Sequence, residues 1–194
     1  MRIGLDLDNT IVCYDRVFYA LGREEGLSEE ILTRGKLGIR NFLRQHGREH
    51  EWTIMQGVAY GPRMKDASPF AGVLEFIGQA KACGHELSVV SHRTKYPYLG
   101  EAHDLHGSAL KWLDATGISG HASVFLEEKV EDKAARISSL CCEVFVDDLP
   151  EFLARPDLPV DVRKVHFAPD ADVESSGFES ARNWRGIAAL ILEK

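Results

Sequence analysis

The amino-terminal segment IGLDLDNT, residues 3–10, joins a short apolar stretch to two aspartates. Residues 2–7 have the length and composition of a buried β-strand, which Asp8 and Asn9 bring to an end. Asp6 and Asp8 stand two positions apart, and such residues point to the same side of an extended chain. The segment therefore predicts a strand that presents two carboxylates together at its carboxyl end.

Outward from this segment, strand-like and helical stretches alternate along most of the chain. Further strands are predicted at residues 86–91, 123–126, 143–146 and 164–167, with helices between them and a closing helix at 183–193. Such alternation is typical of βαβ units, which build a parallel sheet covered by helices on both faces. We therefore expect an α/β fold, a Rossmann-like parallel sheet flanked by helices.

One block of sequence interrupts this alternation. Residues 14–66 read as several helices in succession, and the turn signal Gly61-Pro62 closes the block. We expect residues 1–13 and 67–194 to form the core and residues 14–66 to form a small helical cap inserted after the first strand. A cap that closes over a site excludes water and bulk, so this arrangement favours a small substrate.

Polar side chains stand where three of the predicted strands end. Asp147 and Asp148 follow the fourth strand, and Ser91 ends the second. In an open parallel sheet these ends share one edge, where ligands bind. Together with Asp6 and Asp8, this edge would gather four carboxylates, which repel one another unless a cation neutralises them. Mg²⁺ suits this role because it prefers oxygen ligands and also bridges a carboxylate to a phosphoryl oxygen.

Four short motifs, in this order, resemble those of the haloacid dehalogenase-like (HAD) superfamily. They are DLDNT at 6–10, VVSHR at 89–93, the lysine of EDKAARI at 131–137, and FVDDLPEF at 145–152. The first motif alone is a weak pattern, whereas the ordered set is strong. The resemblance covers the chain apart from the helical cap, and it implies a magnesium-dependent phosphatase.

The resemblance also implies a role for each catalytic residue. Asp6 attacks phosphorus and becomes an aspartyl-phosphate, and Asp8 protonates the leaving oxygen and then activates water. Ser91 and Lys133 hold the transferring phosphoryl group, Ser91 by a hydrogen bond and Lys133 by its charge. Lys129 lies one turn earlier and is the alternative phosphate ligand. Lys133 is favoured because KAARI opens a helix with an apolar face.

The metal ligands follow from the same resemblance. Mg²⁺ is expected on Asp6, Asp147 and the backbone carbonyl of Asp8, with Asp148 as a further ligand or a close neighbour. Family members that break carbon–halogen bonds have no leaving oxygen to protonate and lack an aspartate at the position of Asp8. The aspartate here therefore favours phosphoryl transfer, which we expect to be hydrolysis of a small-molecule phosphate monoester.

Two other activities use similar residues. A phosphotransferase or phosphomutase would keep water out of the second step. A non-catalytic, phospho-accepting switch domain also combines clustered aspartates, a hydroxyl, a lysine and Mg²⁺ on a parallel sheet. In such receiver domains, however, the acceptor aspartate follows the third strand and no cap interrupts the chain, so the hydrolase is favoured.

The long loop after the second strand carries candidate substrate-binding residues. His92, Arg93 and Lys95 crowd its start beside Ser91, and Arg93 or Lys95 could meet a second anionic group of a substrate. A rim of solvated charge explains them equally well. In the cap, Arg63 is a further candidate for substrate contact, with a solvated surface position as its alternative.

The histidines give a weaker signal. His103, Asp104 and His106 cluster in the same loop, where a transition-metal site competes with a polar loop held by local hydrogen bonds. The polar loop is favoured. His46 and His50 are spaced for one helix face, but Gly47 interrupts them and they read as surface residues.

The composition excludes several classes of partner. The chain has 23 basic and 30 acidic side chains, a formal net charge of −7, which disfavours nucleic-acid binding. No apolar run approaches the roughly 20 residues of a membrane helix. The four cysteines lack zinc-site spacing and are expected to be thiols. We expect a cytoplasmic protein whose partner is a small phosphoester, and the sequence does not indicate an oligomeric state.

Overall fold

The structure, a computed structural model, describes residues 1–169 and 177–193. The chain divides into two units. The first, called the sheet unit below, comprises Met1–Val12, Pro69–Arg93 and Thr116–Lys194. The second, called the helical unit, comprises Cys13–Ser68 and Thr94–Ala115.

Strands and helices alternate through the sheet unit as predicted. In chain order the strands are β1 (Arg2–Leu5), β2 (Val12–Cys13), β3 (Ser68–Pro69), β4 (Glu86–His92), β5 (Ala122–Glu127), β6 (Val144–Asp147), β7 (Arg163–Phe167) and β8 (Glu179–Ala181). The helices are α1 (Asp15–Glu24), α2 (Glu29–Leu32), α3 (Gly35–Gln45), α4 (Glu49–Tyr60), α5 (Val73–Ala82), α6 (Leu105–Ala115), α7 (Val130–Ser139), α8 (Pro150–Leu153) and α9 (Trp184–Ile191).

A six-stranded parallel sheet has the order β5-β4-β1-β6-β7-β8. The predicted α/β class with a parallel sheet is thus confirmed. Strand β8 was not predicted, because its three residues carry no apolar run that the sequence could reveal. Strands β2 and β3 form a separate two-stranded sheet.

Strand β1 lies at the centre of the large sheet. In the parallel register Ile3 pairs with Leu87 of β4 on one side and with Val144 of β6 on the other. Ile3 and Leu5 are fully buried, as a strand covered on both faces requires. The central position explains why the segment that follows β1 lies between the ends of two other strands.

Helices α5, α7, α8 and α9 provide the apolar cover of the sheet unit. α5 and α7 pack against β4, α7 also contacts β5, and α8 contacts β6 and β7. Trp184 at the start of α9 is fully buried against Phe76 and Phe167. Its indole Nε1 donates to the carbonyl of Thr10 at 3.1 Å, so this helix also fixes the segment after β1.

The helical unit is built around an aromatic cluster. Phe18 of α1 stacks on Trp52 of α4 with ring centroids 4.9 Å apart, and Tyr14 and Tyr60 complete the group. The sequence analysis assigned the segment of α6 to the core. In the structure α6 instead packs against α4 and the 3₁₀ turn Met64–Asp66, and Trp112 Nε1 donates to the carbonyl of Ala67 at 3.0 Å.

Two expectations from composition concern membranes and cysteines. Among the helices that the structure describes, none combines the length and apolarity needed to cross a bilayer. The four cysteines form no disulfide within the described residues. Burial raises the pKa of the Cys142 thiol to about 11.

We predict opposite stability effects for two glycine substitutions. At Gly4 in β1 an added Cβ would lie 2.5 Å from Phe145 Cδ2 and 3.1 Å from Cys142 Sγ, so Gly4→Ala overpacks the core. It should lower the free energy of unfolding by about 1–3 kcal/mol. Gly78 lies at an exposed position of helix α5 with open space around it, and Gly78→Ala should raise the free energy of unfolding by up to about 1 kcal/mol. Urea unfolding of both variants measures these two changes in the free energy of unfolding. Equal stability of the Gly4→Ala variant and the wild type would contradict the packing at β1.

Candidate active site

The segment after β1 folds into a tight turn that places Asp6 beside β6. The Asp6 amide donates to the carbonyl of Val146 at 2.9 Å, which extends the pairing of β1 with β6 by one residue. The chain then turns at Asn9, whose φ of 62° lies in the left-handed region that asparagine tolerates. The amides of Ile11 and Val12 both donate to the carbonyl of Leu7, at 3.0 and 2.9 Å. The turn therefore holds the aspartates of this segment in fixed places.

Three carboxylates meet at the carboxyl edge of the sheet. Asp6, Asp147 and Asp148 each offer an oxygen atom within 4.8 Å of the others. Asp147 is fully buried and Asp6 is 5% exposed. The structure thus brings together three of the four acidic side chains predicted at the ends of two strands, and the fourth, Asp8, pairs with Arg93.

Lys133 lies between two of these carboxylates. Its Nζ donates to Asp6 Oδ1 at 2.7 Å and to Asp147 Oδ2 at 2.6 Å, and the side chain is buried. Helix α7, which begins at Val130, carries it in its first turn. Lys129, the alternative lysine, precedes this helix and is exposed. The lysine that contacts the acidic cluster is therefore the one that the sequence analysis favoured.

Burial and charge shift the pKa values of this pair. Burial raises the pKa of the Asp6 carboxyl to about 7, and the neighbouring charges of Asp147 and Asp8 act in the same direction, while Lys133 opposes them. Burial by itself would lower the pKa of Lys133. The attraction of Asp147 and Asp6 outweighs it and raises the pKa of Lys133 above its usual range.

Hydrogen bonds orient the two aspartates after β6. Asp147 Oδ1 accepts the Leu149 amide at 2.9 Å, and Asp148 Oδ1 accepts the Thr10 hydroxyl at 3.4 Å. His166 Nε2 lies 3.3 Å from the carbonyl of Asp148. His166 was not predicted as part of the site. His166 pairs in register with Asp147 on the neighbouring strand. A polar residue within the strand segment KVHF was the one sign in the sequence that His166 could belong to the site.

Ser91 is a buried hydroxyl at the end of β4. The residue is 1% exposed, and its Oγ has no hydrogen-bond partner within residues 1–169 and 177–193. An unsatisfied buried hydroxyl costs free energy, so such groups are typical of sites that a ligand completes. An oxygen of a bound phosphoryl group would satisfy it.

Arg93 differs from the rim position that the sequence analysis considered. The side chain is buried, and its Nη2 donates to Asp8 Oδ1 in an ion pair. The structure therefore places Arg93 beside a predicted catalytic residue rather than on an exposed surface. His92, the last residue of β4, is exposed.

The other candidate substrate residues lie in the helical unit. The Nζ of Lys95 lies 5.7 Å from the ring centroid of Tyr96. Arg63 pairs with Asp66 at 2.7 Å and with Glu24 at 2.8 Å, and these bonds raise its pKa. Contact of His92, Lys95 or Arg63 with a substrate stays a prediction.

The loop histidines do not form a second metal-binding group within the described part of the chain. Asp104 Oδ1 accepts the Gly107 amide at 2.9 Å, at the start of α6. His103 Nε2 lies 3.9 Å from a carboxylate oxygen of Glu101. Asp104 thus makes a local hydrogen bond, and the role of this loop stays a prediction.

The acidic cluster fits a divalent cation. Its donors are carboxylate oxygens, which Mg²⁺ prefers, and each oxygen has more than one lone pair. With Asp6, Asp147 and Asp148 ionised and Lys133 protonated, the group carries a formal charge of −2. Asp8 is matched by Arg93 and does not change this sum. A doubly charged ion would therefore neutralise the cluster and favour ionised Asp6.

No protein-family model matches the sequence, and the comparison with curated proteins finds no match. Solved structures do resemble it. A HAD-superfamily hydrolase from Ehrlichia chaffeensis has a TM-score of 0.60 and 13% identity, over 97% of this chain and 94% of that chain. A predicted phosphatase from Clostridium acetobutylicum has a TM-score of 0.67 and 12% identity, over 100% and 98%. A dehalogenase has a TM-score of 0.58 and 9% identity, over 100% and 97%.

These likenesses identify the fold. The chain has the fold of HAD-like hydrolases, an α/β Rossmann-like parallel sheet flanked by helices. The fold is shared by proteins described as phosphatases and by one described as a dehalogenase. The fold alone therefore does not determine the reaction, which depends on the residues of the site.

We predict that the buried ammonium of Lys133 is needed for stability. Lys133→Gln leaves Asp6 and Asp147 buried without their cation, and breaking such a pair costs about 3–5 kcal/mol. Because the raised pKa of Asp6 lies near 7, the folded protein binds more protons than the unfolded chain below that pH. Its free energy of unfolding therefore falls as the pH rises from the pKa that Asp6 has in the unfolded chain toward 7. Loss of Lys133 should steepen this fall.

Urea unfolding in metal-free buffer at about pH 5 and about pH 8 tests this, with the larger loss expected at the higher pH. Lys129→Gln is the matched control. It removes an exposed charge and should change the free energy by less than about 0.5 kcal/mol. A control that loses as much as Lys133→Gln would contradict the placement of Lys133 in the cluster.

Proposed function

We propose that the protein is a Mg²⁺-dependent phosphatase that hydrolyses a small phosphate monoester through an aspartyl-phosphate on Asp6. The observation that carries this proposal is the buried group of Asp6, Asp147 and Asp148 with Lys133 between two of them. This group combines a nucleophile, oxygen ligands for a hard cation and a fixed positive charge. Phosphoryl transfer needs these components, because charge on the transferring group must be stabilised.

In the first step an oxygen of Asp6 attacks phosphorus and the bond to the leaving oxygen breaks. Asp8, which is partly exposed and takes up a proton from solvent before this step, gives that proton to the leaving oxygen, which departs as an alcohol. The unsatisfied hydroxyl of Ser91 donates to an oxygen of the phosphoryl group. Lys133 contributes positive charge and holds the carboxylates of Asp6 and Asp147 in place.

In the second step water attacks the phosphorus of the aspartyl-phosphate. Asp8, now ionised, takes a proton from this water, and inorganic phosphate leaves as Asp6 is regenerated. Mg²⁺ held by Asp6, Asp147, Asp148 and the carbonyl of Asp8 would supply positive charge for the phosphoryl oxygens. Arg93 keeps an ion pair with Asp8.

Two features favour hydrolysis over the alternatives. A dehalogenase has no leaving oxygen to protonate, so it has no use for Asp8, which the structure holds firmly through Arg93. A switch domain would not need a residue that activates water. A phosphotransferase would use the same residues and differs only in the acceptor of the second step, so turnover with water distinguishes it.

The nature of the substrate and the location of the protein are part of the proposal. The net charge of −7 supports a small-molecule phosphoester rather than a nucleic acid as partner. A cytoplasmic location, where Mg²⁺ and phosphorylated metabolites are available, is consistent with this function.

We predict that the wild-type protein releases many equivalents of phosphate and that Asp6→Asn releases none. The amide has almost the shape of the carboxylate but cannot attack phosphorus. A panel of phosphorylated metabolites with Mg²⁺ identifies a substrate, and a time course of phosphate release then counts turnovers. Asp161→Asn, at an exposed position in the sheet unit, is the control and should keep wild-type activity. A plateau at one equivalent with substrate remaining would support the switch domain instead.

We predict that removal of divalent metal abolishes activity. EDTA should stop phosphate release and added Mg²⁺ should restore it, whereas Ca²⁺ should restore little because its larger coordination shell misplaces the phosphoryl group. Asp147→Asn should weaken Mg²⁺ binding at least about tenfold, as measured by calorimetry on the protein without substrate. Undiminished phosphate release after thorough chelation would remove the metal from the mechanism.

A further inference from the structure

We propose that Arg93 is a positioning residue for Asp8, which it holds in the orientation needed for proton transfer. The proposal rests on the proposed function, because it assigns the proton-transfer role to Asp8. The observation behind it is the ion pair between Arg93 Nη2 and Asp8 Oδ1. The Arg93 side chain is 2% exposed and that of Asp8 is 19% exposed.

The main chain fixes one end of this pair. Arg93 directly follows β4, and its amide donates to the carbonyl of Glu127 at the end of β5, at 2.8 Å. A guanidinium remains charged at every accessible pH and presents its donors in a rigid plane. Since a buried charge requires a partner, Arg93 is committed to a carboxylate, and the structure gives it Asp8.

The other end of the pair lies in the turn after β1. Asp8 is the residue before Asn9, whose left-handed backbone fixes the direction of the turn. The backbone does not fix the rotation of the Asp8 carboxylate, which still has two side-chain torsions. The hydrogen bond from Arg93 restricts them and sets the position of one carboxylate oxygen. Misplacement of a reacting group by about 1 Å can cost about 100-fold in rate.

A direct contact between Arg93 and the substrate is the competing role. An arginine that binds a second anionic group of the substrate would act whether or not Asp8 carries a carboxylate. A positioning residue acts only through Asp8. The two roles therefore differ in what happens when both residues are changed.

The experiment measures kcat/KM for wild type, Arg93→Gln, Asp8→Asn and the double variant. This constant reports the transfer of the phosphoryl group to Asp6. Two esters of similar size, which differ in whether the leaving group needs a proton, show how much of a loss is due to proton transfer. Benzyl phosphate needs a proton on its leaving alcohol, whereas the 4-nitrophenolate of 4-nitrophenyl phosphate departs without one.

We expect Arg93→Gln to lower kcat/KM about 10- to 100-fold for benzyl phosphate, and clearly less for 4-nitrophenyl phosphate. When Asp8 is already asparagine, Arg93→Gln should cost less than about threefold. Arg93→Lys, which keeps the charge but loses the fork of donors, should give an intermediate loss. Arg163→Gln is the matched control. Arg163 also belongs to the sheet unit and pairs with a carboxylate, that of Glu179, but it lies at the start of β7, whereas the site lies at the carboxyl ends of the strands. This substitution should leave kcat/KM unchanged.

Two kinetic outcomes would overturn the assignment of Arg93. One is an equal loss with both esters, and the other is a loss that is the same with Asp8 and with Asn at that position. A wild-type protein that turns over no phosphoester would instead overturn the proposed function, and this assignment with it.

A second measurement does not depend on activity. The urea midpoints of the same four proteins form a thermodynamic cycle for the ion pair. Because each single variant leaves one buried group without its partner, the midpoint shift of the double variant should be smaller than the sum of the single shifts. Additive shifts would show that the pair does not hold Asp8 in solution, and would overturn the assignment whatever the kinetics.

Discussion

The balance of charge at the carboxyl edge of the sheet is the constraint on which the rest of the site depends. Three carboxylates share a small, largely buried space, and Lys133 offsets only part of their charge. Burial raises the pKa of Asp6, and the negative charges of Asp147 and Asp8 raise it further. The same excess of negative charge would favour binding of a doubly charged cation. Stability and ligand binding are therefore linked through the same few atoms.

A second ion pair lies beside the first. Arg93 offsets the formal charge of Asp8, although Asp8 still contributes to the raised pKa of Asp6. Two aspartates that are neighbours in the turn thus have different electrostatic environments. Asp6 faces a lysine shared with Asp147, whereas Asp8 faces an arginine of its own. This difference supports different chemical roles for the two, one as a nucleophile and one in proton transfer.

Much of this arrangement could be predicted because it follows from local patterns. Apolar strands that end in aspartates identify β1 and β6, and parallel strands bring such ends together. The partner of a side chain is harder to predict, since it depends on packing between distant segments. In the sequence VVSHR, Arg93 fits a substrate-binding residue and a solvated surface cation equally well, and only the fold shows it buried on Asp8. The grouping of α6 with the inserted helices, the short β8 and the place of His166 depend on tertiary packing in the same way.

The central place of β1 has a consequence for how the protein is made. The ribosome synthesises Asp6 well before its cationic partner Lys133, which lies 127 positions later. At ordinary translation rates the interval is on the order of ten seconds. Throughout that time the chain lacks both β6 and the ammonium, so the strand that later becomes the middle of the sheet has no neighbour on one side. The acidic site therefore assembles only after Lys133 and β6 have both been synthesised.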